Sequence, residues 1–139
     1  MLNFLDANVW LALIWSRHAH SEAARAWFDS AEGEQFLFCR LTQLTVLRLL
    51  TTNQIMGNDT LSLSGAWALW DQVRSDDRIA FLDEPAGLEF EFRSRTRLSS
   101  RSPKLWADAY LLAFAAVAGL RLVTFDRALK TRSADVLLL

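Results

Sequence analysis

Short apolar runs that alternate with helical segments constrain the fold of this chain more than any other feature. Residues 36–39 and 79–82 are uncharged and consist of apolar residues only, which is typical of strands buried on both faces. The segments between such runs carry apolar residues at helical spacing. The alternation predicts the α/β class, as a three-layer α/β/α sandwich around a central, mainly parallel five-stranded sheet.

Element boundaries follow from the same pattern. We predict strands at residues 2–6, 36–39, 79–82, 120–125 and 136–139, and helices at residues 9–15, 21–33, 41–50, 60–73, 87–98, 103–119 and 127–130. Thr42 is the predicted cap of the third helix, and Ser102 with Pro103 is a favourable helix start. Gly119 is a natural helix end, and residues 53–58 are predicted to form a loop. The length of 139 residues predicts a single domain over residues 1–139.

The composition limits the cellular compartment and the kinds of binding partner that we expect for this protein. The formal net charge is −1, so any surface that attracts a polyanion must be local. A single cysteine, Cys39, excludes an internal disulfide framework and favours a reducing cytoplasm. No basic and apolar leader precedes the first strand, and the apolar run at 107–119 is too short to span a bilayer. We therefore expect a cytoplasmic protein in which Cys39 serves packing.

Three aspartates occupy the positions where an open α/β sheet binds ligands. Asp6 and Asp126 directly follow the first and fourth strands, and Asp108 lies near the start of an otherwise apolar helix. The carboxyl ends of parallel strands meet at one edge, where three carboxylates would repel one another without a cation. Mg²⁺ and Mn²⁺ prefer such oxygen ligands. This pattern predicts a metal-dependent nuclease, with three unrelated helix-capping aspartates as the alternative.

Several motifs in this order resemble those of PIN domains, and most closely those of VapC toxins from bacterial toxin–antitoxin operons. They are LDAN at 5–8, WADAYLLA at 106–113 and LVTFDRAL at 122–129, together with HAHSEA at 18–23 and TQLTVLRLL at 42–50. The resemblance covers essentially the whole chain. It implies an α/β/α sandwich, Mg²⁺-dependent endoribonuclease activity, a homodimer, and neutralisation by a cognate VapB-type antitoxin. The implied products carry 5′-phosphate and 3′-hydroxyl ends.

The resemblance also implies residue roles. Asp6 and Asp108 match the acids most often assigned to Mg²⁺, and Asp126 matches a further acid that binds directly or through water. Asn8 and Thr124 match polar positions that support these carboxylates. Mg²⁺, for which Mn²⁺ is a possible substitute, would then activate a water for in-line attack on the scissile phosphate. Asp126 or Asp108 would accept the proton.

One position departs from the family pattern. The family carries a glutamate on the third helix where this sequence has Thr45. We therefore expect one well-bound ion, with Thr45 holding a water. Two alternatives stay open: a weakened or inactive module that binds RNA or a partner, and a phosphatase with Asp6 as nucleophile. The phosphatase would need a second aspartate where Asn8 stands.

Basic and aromatic residues supply the candidate binding surfaces. The candidate RNA-binding residues are Arg48, Arg93, Arg95, Arg97, Arg101 and Lys104. A patch just before the helix of Asp108 would grip an RNA backbone, whereas a solvated helix face is the alternative. For His18 and His20 a structural or RNA-contact role is favoured over zinc binding. The tryptophans are expected to be mostly core, with Trp10, Trp15 and Trp27 near an apolar groove for an antitoxin segment.

Overall fold

Five parallel strands form the centre of the computed structural model, which describes residues 1–139. The strands are β1 (Leu2–Leu5), β2 (Gln35–Phe38), β3 (Ile79–Phe81), β4 (Arg121–Thr124) and β5 (Val136–Leu138). Their order in the sheet is β3-β2-β1-β4-β5, and every neighbouring pair is parallel. The predicted α/β class with a five-stranded sheet is thereby confirmed, and the sheet is wholly parallel.

Helices connect the strands and cover both faces of the sheet. They are α1 (Ala7–Ile14), α2 (Ser21–Ser30), α3 (Arg40–Leu50), α4 (Asn53–Met56), α5 (Leu63–Arg74), α6 (Leu88–Arg95), α7 (Leu105–Ala118) and α8 (Arg127–Lys130), with a 3-10 turn at Gly57–Asp59. None of them combines the length and the apolar character that a membrane crossing requires.

Two apolar clusters hold the sheet rigidly from its two faces. On the side of α1, α3 and α5, the ring of Trp70 meets those of Trp10 and Phe38 edge-on, with centroids 5.8 and 4.9 Å apart. On the side of α7, Phe4 stacks on Phe114 at 4.7 Å. Successive strand residues point to opposite faces, so both faces of β1 are buried. Such packing fixes the edge of the sheet that bears the acids.

Some predicted boundaries were wrong. Helix α7 begins at Leu105 and has no side-chain cap, because Ser102 lies in a preceding turn whose carbonyl accepts the Leu105 N–H. Thr42 is buried inside α3 and does not cap it. The predicted loop at 53–58 forms α4 and the 3-10 turn. Gly119 ends α7 as predicted, with a φ of 69° that favours glycine.

The tryptophans divide between core and surface. Trp10 and Trp70 are fully buried, and Trp15 and Trp27 are partly buried against the same cluster. Trp67 and Trp106 are exposed. Cys39 is buried, as its predicted packing role requires.

Candidate active site

Asp6 is fixed at the junction of β1 and α1. Its backbone N–H donates to the Val123 carbonyl at 2.9 Å and so continues the pairing of β1 with β4. Its Oδ1 accepts the Ala7 N–H at 2.8 Å, and its Oδ2 accepts the Thr124 hydroxyl at 2.8 Å. The carboxylate therefore caps α1 and is held at the carboxyl edge of the sheet.

Thr124 links two of the acids. It is fully buried, and its hydroxyl donates to Asp6 Oδ2 while it accepts the Asp126 N–H at 3.0 Å. Asp126 is exposed, and its Oδ1 caps α8 by accepting the Ala128 N–H at 2.9 Å. One hydroxyl thus connects the Asp6 carboxylate to the backbone of Asp126.

Asp108 approaches this edge from a different element. It lies in the first turn of α7, partly buried, and no hydrogen bond to its carboxylate offsets that burial. The charges of Asp108 and Asp126 both act on Asp6. The structure therefore brings the three sequence-predicted acids within electrostatic reach of one another.

The pKa values of two acids report this crowding. Burial raises the pKa of Asp6, and the charges of Asp108 and Asp126 raise it further, while the hydrogen bonds from Thr124 and Ala7 oppose the rise. Burial also raises the pKa of Asp108, with a further rise from Asp126. The positive charges of Arg132 and Lys104 oppose this second rise. Negative charge at this edge is thus only partly compensated by the protein.

The donor set fits a water-rich metal site better than an enclosed one. No group of three or more His, Cys, Asp or Glu side chains in the structure is placed to bind a metal ion together. Mg²⁺ usually keeps several waters and takes only one or two carboxylates from the protein. Asp6 and Asp108 place two carboxylates within electrostatic reach of each other at this edge, which is the number that such a site uses.

Neither of two predicted supporting residues forms a hydrogen bond to the three acids in this structure. Thr45 lies on α3, and its hydroxyl donates to the Leu41 carbonyl at 2.9 Å, so its proton is already engaged within the helix. Asn8 is exposed in the first turn of α1. Thr45 adds no negative charge where the family has a glutamate.

The predicted basic residues fall into two groups. Arg93 and Arg95 each form an ion pair one helical turn back, with Glu89 at 3.1 Å and Glu91 at 2.9 Å. The remaining residues are exposed and form no ion pair; they are Arg48, Arg97, Arg101 and Lys104. The last three lie on the segment that leads from α6 into α7, and hence towards Asp108.

Arg132 also lies near the acids and is not among the residues predicted from the sequence. This residue follows α8, its charge favours the ionised form of Asp108, and its buried Nη1 has no hydrogen-bond partner. A single arginine in a polar turn carries no sequence signal for such a position. The structure also places His18 and His20 against Phe125, the residue before Asp126.

Comparisons with known proteins agree with this architecture. The family model for the PIN domain matches residues 4–134. Ribonuclease VapC41 of Mycobacterium tuberculosis is 44% identical over 128 residues, which cover 88% of each chain. Among solved structures, VapBC2 from Rickettsia felis, bound to a DNA fragment from its promoter, superposes with a TM-score of 0.71 at 13% identity over 100% of this chain and 98% of the other. The sarcin–ricin loop cleaving toxin VapC20 of M. tuberculosis gives a TM-score of 0.65 at 18% identity, covering 94% and 95%.

Proposed function

We propose that the activity of this chain, which belongs to the VapC ribonuclease toxins of the PIN-domain family, depends on Mg²⁺ held by Asp6 and Asp108 and supported by Asp126. The predicted enzyme class, a ribonuclease that acts as the toxin of a toxin–antitoxin pair, is confirmed. The family is typically metal-dependent. The observation that supports the residue assignment is the mutual repulsion of three carboxylates at one sheet edge.

Each of the three aspartates has a different proposed role in the reaction. When bound, the cation supplies an activated water and offsets charge on the scissile phosphate. Asp6, fixed by Ala7 and Thr124, presents its carboxylate in one orientation. Asp108 approaches from α7 without a competing hydrogen bond. Oδ1 of Asp126 caps α8, and its Oδ2 is the atom that we propose accepts the proton of the attacking water.

The ligand set favours a single tightly held ion. Thr45 adds no carboxylate, and its hydroxyl proton is engaged by Leu41. A second ion would have to be held by the phosphate and water. We therefore propose a one-ion resting site, with Mn²⁺ as a possible substitute for Mg²⁺ and with 5′-phosphate and 3′-hydroxyl products, as the resemblance implies.

The substrate path follows the segment between α6 and α7. Arg97, Arg101 and Lys104 are exposed and form no ion pair, so they are the cations that we propose contact the RNA backbone. Arg93 and Arg95 already neutralise Glu89 and Glu91 and contribute less net charge. Arg48, on α3, is exposed and remains a candidate for a phosphate contact.

Partners follow from the family. VapC toxins pair with VapB antitoxins, as in the VapBC2 complex. We propose a VapB-type antitoxin and a homodimer for this chain. Of the three tryptophans predicted near an apolar antitoxin groove, only Trp10 lines a cleft of about 250 Å³ between α1, α2 and α5, which is also lined by Leu13, Phe28 and Val73 and by the polar residues Arg25, Asp29, Gln72 and Asp76. We propose this cleft as the antitoxin site. Trp10 itself is fully buried and forms only the floor of this cleft.

The test is cleavage of RNA by the full chain with Mg²⁺, with Mn²⁺ and with a chelator. We expect cleavage with either cation, none with the chelator, and none for Asp6→Asn. Asp71→Asn removes an exposed acid on α5 and is the matched control, which should cleave normally. Cleavage that persists with the chelator, or in Asp6→Asn, would contradict the proposed site.

A further inference from the structure

Four aromatic rings lie together at the end of β4. His20 stacks on Phe125 with ring centroids 4.5 Å apart and planes 20° apart. His18 lies 6.4 Å from the same phenyl ring at an angle of 26°, and Trp15 meets His18 edge-on at 6.2 Å. We call Trp15, His18, His20 and Phe125 the aromatic ledge. The metal chemistry proposed above uses none of these rings.

Hydrogen bonds fix the ledge. The indole Nε1 of Trp15 donates to Asp59 at 2.8 Å. The backbone N–H of His20 donates to Nδ1 of His18 at 3.0 Å, and the backbone N–H of His18 donates to the Trp15 carbonyl at 3.0 Å. Backbone and side-chain hydrogen bonds within the segment that joins α1 to α2, together with the bond to Asp59, thus hold these rings in place. A ligand meeting these rings would find them already in place.

The ledge borders the candidate active site on one side. Phe125 stands between Thr124, whose hydroxyl binds Asp6, and Asp126. Side chains alternate along β4, and Val123 and Phe125 pack with the cluster on the side of α1. Asp108 comes from α7, on the opposite side of the sheet. An RNA strand that crosses the sheet edge at the acids would therefore meet the ledge on leaving them.

Exposure distinguishes His20 from a core residue. Phe125 and His18 are partly buried, whereas His20 is exposed and covers Phe125 with a flat ring. Two histidines alone do not make a metal site, and no third ligand is placed with them. Unpaired RNA bases are commonly bound by stacking on flat aromatic side chains, histidine included.

We propose that His20, supported by Phe125, is the platform on which one unstacked base beside the scissile phosphate of single-stranded RNA is bound. This inference rests on the proposed function and adds a substrate-binding residue to it. In this proposal the aromatic ledge contacts the base, whereas Arg97, Arg101 and Lys104 contact the RNA backbone.

The experiment measures binding separately from cleavage. Every protein carries Asp6→Asn, and the probes are a short single-stranded RNA of mixed sequence and an abasic ribose-phosphate chain of the same length. We expect His20→Ala to weaken binding of the RNA about tenfold, since stacking on one ring contributes that much, and to leave binding of the abasic chain unchanged. His20→Phe keeps a flat ring and should bind RNA within about twofold of the parent.

A control and a kinetic measurement complete the test. Trp67→Ala removes an exposed ring on α5 and should leave RNA binding unchanged. In the active enzyme, His20→Ala should raise KM and leave kcat unchanged. Failure of wild-type cleavage would count against the proposed function, whereas the binding comparison tests the platform by itself.

Three results would overturn the platform. Equal weakening of both probes would assign His20 a backbone contact. Equal loss in His20→Phe and His20→Ala would show that the flat ring is not what matters. Unchanged RNA binding in His20→Ala, with thermal unfolding like that of the parent, would exclude any contact.

Discussion

The two ends of the central sheet handle polar groups in opposite ways. At the amino end, Asn3 is fully buried, yet its amide is satisfied: Nδ2 donates to Glu34 and to the Gln35 carbonyl, each at 3.2 Å. Its Oδ1 accepts Nε and Nη2 of Arg121 at 3.0 and 2.7 Å. Arg121 also lies 3.6 Å from Glu34. Charge and hydrogen bonding are both balanced at this end.

At the carboxyl end the acidic charge is only partly offset, by the positive charges of Arg132 and Lys104 near Asp108. Asp6, Asp108 and Asp126 repel one another, and burial adds to the cost of ionising the first two. The hydrogen bonds of Thr124 hold part of this cluster in place without neutralising it. A fold that balances one end of its sheet and not the other points to the unbalanced end as the functional one.

The largest expected effect is the loss of turnover when an acid at the carboxyl end of the sheet is substituted. Asp108→Asn removes one of two proposed metal-binding carboxylates, so turnover of RNA should fall about a hundredfold or more. Steady-state cleavage at saturating Mg²⁺ measures this. Glu34→Gln, an equivalent change at the amino end, should leave turnover unchanged, and equal losses in the two variants would erase the distinction between the ends.

A substitution at the amino end of the sheet should lower the stability of the protein and leave its turnover unchanged. Asn3→Leu removes a buried amide and with it the hydrogen bonds to Arg121, Glu34 and the Gln35 carbonyl. The free energy of unfolding should therefore fall by about 2 kcal/mol. Denaturant unfolding measures it. The variant should keep its turnover where it is folded, and a loss of turnover without a loss of stability would contradict the division of roles.

Thr124 tests how the acids are positioned. Thr124→Val removes the hydroxyl between Asp6 and Asp126 while it keeps the shape, so turnover should fall about tenfold. Thr124→Ser restores a hydroxyl and should recover most of the loss. A valine variant with normal turnover would mean that the backbone alone positions the two carboxylates.

The smallest expected effect is a change in thermal stability that follows from the pKa values of the acids at the carboxyl end. The raised pKa values of Asp6 and Asp108 mean that the folded protein binds protons more tightly there than the unfolded chain. Their contribution to stability is therefore present below the ordinary pKa of 3.8 and is lost as pH rises through the raised values. At neutral pH without metal, Asp108→Asn should raise Tm by about 2 °C, measured by calorimetry. A lower Tm would show that this charge stabilises the fold.

Features that depend on local pattern were predictable from the sequence. The apolar run before Asp126 and the strand before Asp6 located both acids at strand ends, and the motif around Asp108 placed the third. The predicted helix start at Ser102 failed because a turn there competes with the helix. The ion pair of Arg93 with Glu89 follows a four-residue spacing that sequence reasoning could have used.

Contacts between distant segments were not predictable in this way. Arg121 and Asn3 are 118 residues apart, and the stacking of His20 on Phe125 joins the first loop to the fourth strand. Neither contact leaves a periodic or compositional signal. Both arise because β1 and β4 are neighbours in the sheet, which sets side chains from the two halves of the chain against each other.

We expect a divalent cation to complete the carboxyl end of the sheet. Anomalous diffraction from crystals of the protein grown with Mn²⁺ tests it most directly. We expect a manganese peak coordinated by the carboxylates of Asp6 and Asp108, with Asp126 nearby and water in the remaining positions. Ordered carboxylates at this edge with no manganese between them, from protein that cleaves RNA in the same Mn²⁺ buffer, would contradict it.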